Sequence, residues 1–127
     1  MPLIRVDLAA GKHARYRQAI VEVIYRAMRE TINVPENDRF AIVTEHPLED
    51  FIVDRTYLGI ERTDACVIIS ITLNEGRTLE QKKAFYRAIA DGLQREIQLR
   101  PQDIFISLVE VKKENWSFGN GEAQYAP

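Results

Sequence analysis

The chain has 127 residues, 46% of them hydrophobic, and a formal net charge of -2 at pH 7. This length suits one compact domain, no apolar run approaches the roughly 20 residues that span a membrane, and interspersed charges create no sustained positive field. Because charged Arg5 and Asp7 follow the N-terminus at once and argue against a signal peptide, we expect a soluble, cytoplasmic domain over residues 1–127 with neither a membrane nor a nucleic-acid partner.

The first half of the chain predicts a strand, a helix and a second strand. Apolar and polar residues alternate over residues 3–8, which is typical of a strand. After Gly11, apolar residues recur at three- and four-residue steps, and this helical pattern ends near Asn33. Residues 40–43 predict the second strand, and the polar, aromatic and proline residues of 46–64 predict an irregular or short extended segment.

The second half predicts the same order of elements. Residues 65–73 form a continuous apolar run, which favours a strand buried on both faces. Thr78 is the expected N-cap of a helix that runs to about Gln98, and Gln81 completes a capping box. Residues 104–111 predict a fourth strand.

These two halves repeat at an offset of 65 residues. Gly11 falls on Gly76, and Asp38 falls on Asp103. The repeat divides the chain into βαβ units of about residues 2–45 and 65–111 and an aromatic C-terminal segment of residues 112–127.

The repeat also predicts the fold. Each unit closes into two parallel strands with a right-handed helical crossover, and the two units combine their strands into one sheet. The expected class is α/β (α+β), with a four-stranded sheet and two helices on one face. The twofold relation between the units is expected to place Pro2 near Val67, which begins the corresponding strand.

The sequence lacks the residue patterns that bind metals or phosphate-containing cofactors. His13 and His46 are 33 residues apart with no neighbouring His or Cys, so no metal-ligand spacing is present. The single cysteine, Cys66, lies in an apolar run and is interpreted as a core residue. The glycines at 119 and 121 follow the last predicted strand and do not join a strand to a helix, as a phosphate loop would. We expect no metal and no cofactor.

Pro2 is the first candidate catalytic residue. A first methionine ahead of a small residue is generally removed, so Met1 is expected to be lost and Pro2 to become the terminal amine. An α-amino group titrates at about 7.7–8.0, and desolvation or a nearby cation disfavours its protonated form. Such an amine can act as a general base, or as a general acid when protonated. The alternative is that proline is simply a common second residue.

Arg77 is the second candidate. A guanidinium near a helix N-terminus is unfavourable unless an anion lies between them, and its planar fork can bind a carboxylate with two hydrogen bonds. Arg77 could therefore orient a 2-keto or 3-keto acid against Pro2. Alternatively, it is a turn residue paired with Glu75 or Glu80.

Four segments together resemble one family. Each segment matches characteristic positions of that family. The four segments are Met1-Pro2 ahead of a strand, Val34 to Phe40, Gly76 to Lys82, and Trp116-Ser117-Phe118-Gly119 followed by Gly121. The chain resembles the tautomerase superfamily, nearest to the malonate semialdehyde decarboxylase group, over its whole length. In this family a proline exposed by loss of the initiator methionine does the chemistry.

The resemblance implies roles for individual residues. Asp38 corresponds to the water-activating aspartate, although it could instead only cap the start of a strand. Arg77 corresponds to a substrate-binding arginine. Trp116 and Phe118 help to wall the active site, although they could instead be core or interface aromatics. Tyr125 is assigned to substrate binding with them.

The resemblance also implies a homotrimer, and it has one exception. The decarboxylase carries two arginines in an Arg-Pro-Arg arrangement, and Glu75 and Gly76 occupy the places of the first arginine and the proline. An added carboxylate would repel an anionic substrate if it faced the site, which disfavours decarboxylation.

The sequence therefore favours a cofactor-free enzyme that acts on a small keto acid or enol. The reaction could be keto-enol tautomerisation, hydration or decarboxylation. The alternative is a non-catalytic oligomeric binding protein that keeps the fold.

Overall fold

The computed structural model describes residues 2–126. The strands are β1 (Leu3–Ala9), β2 (Phe40–His46), β3 (Val67–Asn74) and β4 (Ile104–Val111), and the helices are α1 (Ala14–Thr31) and α2 (Leu79–Ile97). Four short 3₁₀ turns accompany them, at Leu48–Asp50, Tyr57–Gly59, Pro101–Asp103 and Lys113–Asn115. The predicted fold of two βαβ units, with four strands in one sheet and two helices on one face, is confirmed.

The sheet has the strand order β2-β1-β3-β4. Each βαβ unit supplies a parallel pair, β1 with β2 and β3 with β4, and the two units join through antiparallel β1 and β3. Leu3 pairs with Phe40 on one side and with Thr72 on the other. The beginnings of β1 and β2 and the end of β3 therefore lie at the same end of the sheet.

One apolar core lies between the helices and one sheet face. Its fully buried members share the helix-facing positions of β1 and β3 and the inner stripes of both helices, and the largest of them are Ile4, Val6, Ile20, Ile24, Met28, Ile69, Ile71, Leu73, Phe85, Ile89 and Leu93. Burying such side chains contributes about 1.5–3 kcal/mol each before conformational entropy is subtracted.

The two units repeat in conformation as well as in sequence. Gly11 and Gly76 have φ angles of 121° and 118°, and residues with a Cβ atom rarely adopt such backbone conformations. The N-cap side chains of α1 and α2, His13 and Thr78, each accept a hydrogen bond of 3.1 Å from the backbone N–H three residues on. The same local chemistry thus begins both helices.

β3 differs from its prediction. It begins at Val67, because the Cys66 N–H donates to the Thr63 carbonyl in a turn. Burial alternates along the strand, so that Ile69 and Ile71 are buried while Ile68 is half exposed. The helix-facing side of β3 is therefore fully buried, whereas residues 2–126 cover its other side only in part.

The expectation that Pro2 lies near Val67 is wrong. Val67 pairs with Leu8, at the far end of β1, because β1 and β3 are antiparallel. A twofold axis makes the two residues equivalent and places them at opposite ends of the sheet.

Candidate active site

The end of the sheet where β1 and β2 begin collects the predicted site residues. Pro2 immediately precedes β1, Asp38 lies two residues before β2, and Arg77 follows β3 by three residues. Because β1 is parallel to β2 and antiparallel to β3, the three residues meet at one end of the sheet. Pro2 is buried. The predicted loss of Met1 concerns a residue outside the described part of the chain.

A rigid turn places Asp38 ahead of β2. Asn37 adopts a φ of 70°, and its N–H donates to the Tyr25 hydroxyl at 2.8 Å. The Asp38 N–H donates to the Pro35 carbonyl at 3.4 Å. The turn directs Asp38 inward, where it is 5% exposed.

The pKa of Asp38 is raised above its ordinary value because burial disfavours the carboxylate. The positive charges of the amino terminus and of Arg77 oppose this effect but do not cancel it. Asp38 therefore keeps its proton to a higher pH than an exposed aspartate does.

Backbone carbonyls hold the guanidinium of Arg77. One terminal nitrogen donates to the Asn74 carbonyl at 3.0 Å and the other to the Ile32 carbonyl, beyond the end of α1, at 3.3 Å. The negative end of the α1 dipole favours a cation there. Within residues 2–126, Arg77 makes no ion pair with Glu75 or Glu80. A guanidinium has five N–H donors, so donors remain for an anionic ligand.

Glu75 stays apart from this arginine. Its side chain is exposed, and its backbone N–H donates to the Val111 carbonyl at 2.9 Å, which continues the pairing of β3 with β4. The position that carries an arginine in the decarboxylase pattern is thus an exposed carboxylate.

The C-terminal aromatic residues form a connected group at the same end of the sheet. The rings of Trp116 and Phe118 stack with centroids 5.4 Å apart, and Tyr125 meets Phe118 edge-on at 4.8 Å. The Gln124 side chain bridges the turn between them, accepting from the Phe118 N–H at 2.9 Å and donating to the Gly119 carbonyl at 2.7 Å.

Asn74 joins this aromatic group to the arginine. Its side-chain oxygen accepts a hydrogen bond of 2.8 Å from the indole N–H of Trp116, and its carbonyl accepts one from Arg77. Asn74 is not predicted from the sequence as a site residue, because one asparagine after a strand matches no motif. The available signal was its place at the end of the predicted strand, ahead of Arg77.

The opposite end of the sheet holds the repeat-related aspartate, Asp103. It is buried and accepts two hydrogen bonds of 2.7 Å from the N–H and hydroxyl of Thr63. Arg100 lies 3.6 Å away. The carboxylate of Asp103 therefore accepts its hydrogen bonds from the segment that connects the two units.

Neither a metal centre nor a membrane span is found in the described part of the chain. No group of three or more His, Cys, Asp and Glu side chains within residues 2–126 is arranged to hold a metal ion. Neither helix is long and apolar enough to cross a membrane.

Comparison with known proteins places the chain in a family. A family model described as "Tautomerase enzyme" matches residues 38–119, and a second with the same description matches residues 2–60. The probable tautomerase YusQ of Bacillus subtilis (strain 168) is 42% identical, with 98% of each chain covered. The chain belongs to the tautomerase family.

Two solved structures are similar as well. The FG41 malonate semialdehyde decarboxylase inhibited by 3-bromopropiolate is 37% identical, with a TM-score of 0.91 over 97% of this chain and 93% of that one. A symmetric trimer of a fused 4-OT, 23% identical, shares the fold with a TM-score of 0.79 over 98% of each chain.

Proposed function

We propose that this chain is a cofactor-free tautomerase of small carbonyl acids whose catalytic group is the amine of Pro2 after loss of Met1. The observation that carries the proposal is the antiparallel pairing of β1 with β3, which sets the start of β1 beside the turn that bears Arg77. Membership of the tautomerase family supports the same reaction class.

The Pro2 amine performs the proton transfer. Burial at the start of β1 and the positive charge of Arg77 at the same end of the sheet both disfavour a second cation, which favours the neutral form of the amine. The neutral amine takes the hydroxyl proton of an enol, and the resulting ammonium gives a proton to the carbon of the double bond. The reverse direction starts with removal of a proton from the carbon beside the carbonyl.

Arg77 binds the substrate carboxylate. Its guanidinium is held by two carbonyls, so its position is set before the substrate arrives. A bidentate carboxylate would place the adjoining keto or enol group toward Pro2. Trp116, Phe118 and Tyr125 form the apolar wall of the substrate site.

Asp38 is the polar partner in the reaction. Burial raises the pKa of Asp38, and in its protonated form the carboxyl group can donate a hydrogen bond to the developing enolate oxygen. In its ionised form it can activate a water, which hydration of an unsaturated acid requires. The same group therefore serves tautomerisation and hydration.

Decarboxylation of a 3-oxo acid is a second candidate. The similarity to a malonate semialdehyde decarboxylase, 37% identical over nearly the whole chain, favours it, and Pro2, Asp38 and Arg77 are all present. The exposed carboxylate of Glu75 in place of the first arginine disfavours it.

The proposed assembly is a homotrimer. The sheet face opposite the helices carries exposed apolar side chains, among them Phe40, Ile42, Phe105 and Val109 at 44–50% exposure. Residues 2–126 cover this face only in part, where Ile52 and Val53 of the connecting segment approach Ile68 and Phe105. The fused 4-OT of the same fold is a trimer. In a trimer, three copies would bury these apolar faces against one another and remove them from solvent.

Covalent labelling tests the role of Pro2. 3-Bromopropiolate carries a carboxylate for Arg77 and an electrophilic triple bond, so the Met1-free chain should lose activity and gain one adduct per chain. Fragmentation mass spectrometry should place the adduct on Pro2, and Arg77→Ala should slow labelling at least about tenfold. Labelling at another residue, or at equal rates in the variant, would refute the proposal. Arg87→Ala, an exposed arginine of α2, is the control.

A further inference from the structure

We infer that Asn74 is a positioning residue that docks the C-terminal aromatic segment, residues 112–126, against the substrate-binding arginine. The inference rests on the proposed function for its effect on catalysis, and on hydrogen bonds alone for its structural part. Asn74 is the last residue of β3 and is half buried.

A single hydrogen bond ties the aromatic segment to the rest of the described chain. Backbone bonds within the segment join Asn115 to Lys112, Glu122 to Gly119 and Ala126 to Ala123, and side-chain bonds join Gln124 to Phe118 and Gly119. Among the hydrogen bonds and ion pairs of residues 112–126, only that from Trp116 to Asn74 reaches a residue outside them. Trp116 is therefore the one residue of the segment with a hydrogen bond to the rest of residues 2–126.

The anchor and the arginine share one residue. The Asn74 carbonyl accepts from Arg77 at 3.0 Å, while its side-chain oxygen accepts from Trp116 at 2.8 Å. Replacing the side chain leaves the carbonyl in place. The spacing between the guanidinium and the aromatic wall is thus set by Asn74, and its side chain controls only the wall.

Ring contacts couple the rest of the aromatic wall to Trp116. Trp116 stacks on Phe118, and Phe118 contacts Tyr125. Loss of one neutral hydrogen bond lowers the ratio of docked to undocked segment by roughly 2- to 10-fold. Substrates that contact the wall should then bind more weakly, whereas proton transfer by Pro2 in the bound complex should be little changed.

Trp116 is the only tryptophan of the chain, so its fluorescence reports the docking without any substrate. We expect Asn74→Leu to increase acrylamide quenching of this fluorescence roughly twofold or more. Asn74→Asp retains an oxygen acceptor and should keep quenching near that of the parent. Unchanged quenching in folded Asn74→Leu would overturn the inference.

The parent protein supplies a test that needs no variant. Its one indole N–H should give a resonance that exchanges with solvent at least about tenfold more slowly than a free indole does, because the hydrogen bond protects it. Exchange at the rate of free indole would contradict the anchor even if Asn74→Leu failed to fold.

Steady-state kinetics separate positioning from loss of folded protein. Asn74→Leu should raise KM for a keto-enol acid roughly 3- to 10-fold with kcat nearly unchanged, whereas a loss of folded enzyme lowers kcat at constant KM. The Asn115→Leu control removes an exposed amide from the same segment and should change neither constant. A fall in kcat alone would refute the positioning role. Quenching and exchange remain informative if the chain proves to have no tautomerase activity, so the two proposals fail separately.

Discussion

Asp38 and Asp103 lie 65 residues apart at equivalent points of the repeat, and both are buried. Asp103 accepts two hydrogen bonds from Thr63, whereas burial raises the pKa of Asp38. Asp103 binds the segment that connects the two units. Asp38 lies at the end of the sheet that carries Pro2 and Arg77. Equivalent carboxylates therefore have different environments, and this difference predicts opposite effects of the same substitution.

Asp38→Asn should stabilise the protein at neutral pH. Because the folded-state pKa of Asp38 is raised, the folded chain binds this proton more tightly than the unfolded chain does, and stability falls as pH rises through the raised pKa. Asparagine does not ionise, so the variant does not lose stability in this way as pH rises. We expect Tm to increase at pH 7 and the difference to shrink toward pH 3, where the aspartate is largely protonated in both states. Calorimetry at several pH values measures it.

Asp103→Asn is the matched control. The amide keeps one acceptor oxygen but cannot satisfy both donors of Thr63 as a carboxylate does, so the free energy of unfolding should fall by roughly 1–3 kcal/mol. If both variants were stabilised, or both destabilised at neutral pH, the assigned environments would be wrong.

Much of the fold follows from local patterns in the sequence. Gly11 and Gly76 marked the same turn in each unit, and their nearly equal φ angles confirm it. The relative direction of the strands that join the two units, β1 and β3, is harder to predict from the sequence. The repeat identified Pro2 and Val67 as equivalent, but equivalence under a twofold axis does not give proximity, and the antiparallel register that separates them depends on long-range pairing.

The candidate site was predictable where residues carry recognisable chemistry. Arg77 stood out by its charge beside a helix N-terminus, and Trp116 by its motif. Asn74 and the carbonyl of Ile32 did not, because any residue has a carbonyl and only the folded chain brings these groups to Arg77. The hydrogen bonds from Thr63 to Asp103 are also not predictable from the sequence, because they depend on the path of the irregular connecting segment.

Arg77→Ala should mainly raise KM for acid substrates. Loss of a charged hydrogen bond to the substrate carboxylate corresponds to about a 10- to 150-fold increase, and an uncharged ketone should be spared. Arg77→Lys keeps the charge without the planar fork and should recover part of the loss. Unchanged KM and kcat for every keto acid tested would make Arg77 a turn residue only.

Glu75→Arg should increase activity toward malonate semialdehyde. The change replaces an exposed carboxylate with the arginine of the decarboxylase pattern, so an anionic 3-oxo acid should bind and decarboxylate at least about tenfold better. Product formation is followed by coupled assay. Glu80→Arg, which reverses a neighbouring exposed charge in the first turn of α2, should have no such effect. Equal responses would mean that net charge, and not the position of Glu75, matters.

The proposed trimer buries the partly exposed sheet face opposite the helices. Light scattering should give three times the chain mass of 14.6 kDa. If Phe105, which is 45% exposed, lies in the proposed apolar interface, Phe105→Lys should dissociate the assembly, because it would bury a charge there. Leu79→Lys alters an apolar residue that is 63% exposed at the start of α2 and should leave the mass unchanged. A monomeric parent would contradict the assembly.

The most direct test of the catalytic proposal is the activity of Pro2→Ala. Met1 should be removed ahead of alanine as well, and the intact mass of both proteins must verify this before the assay. With phenylenolpyruvate or a similar enol of a 2-keto acid, we expect the variant to lose at least about tenfold in kcat/KM, because general acid–base catalysis by a positioned group contributes roughly 10²–10⁴-fold. Equal kcat/KM in the two Met1-free proteins would contradict catalysis by Pro2.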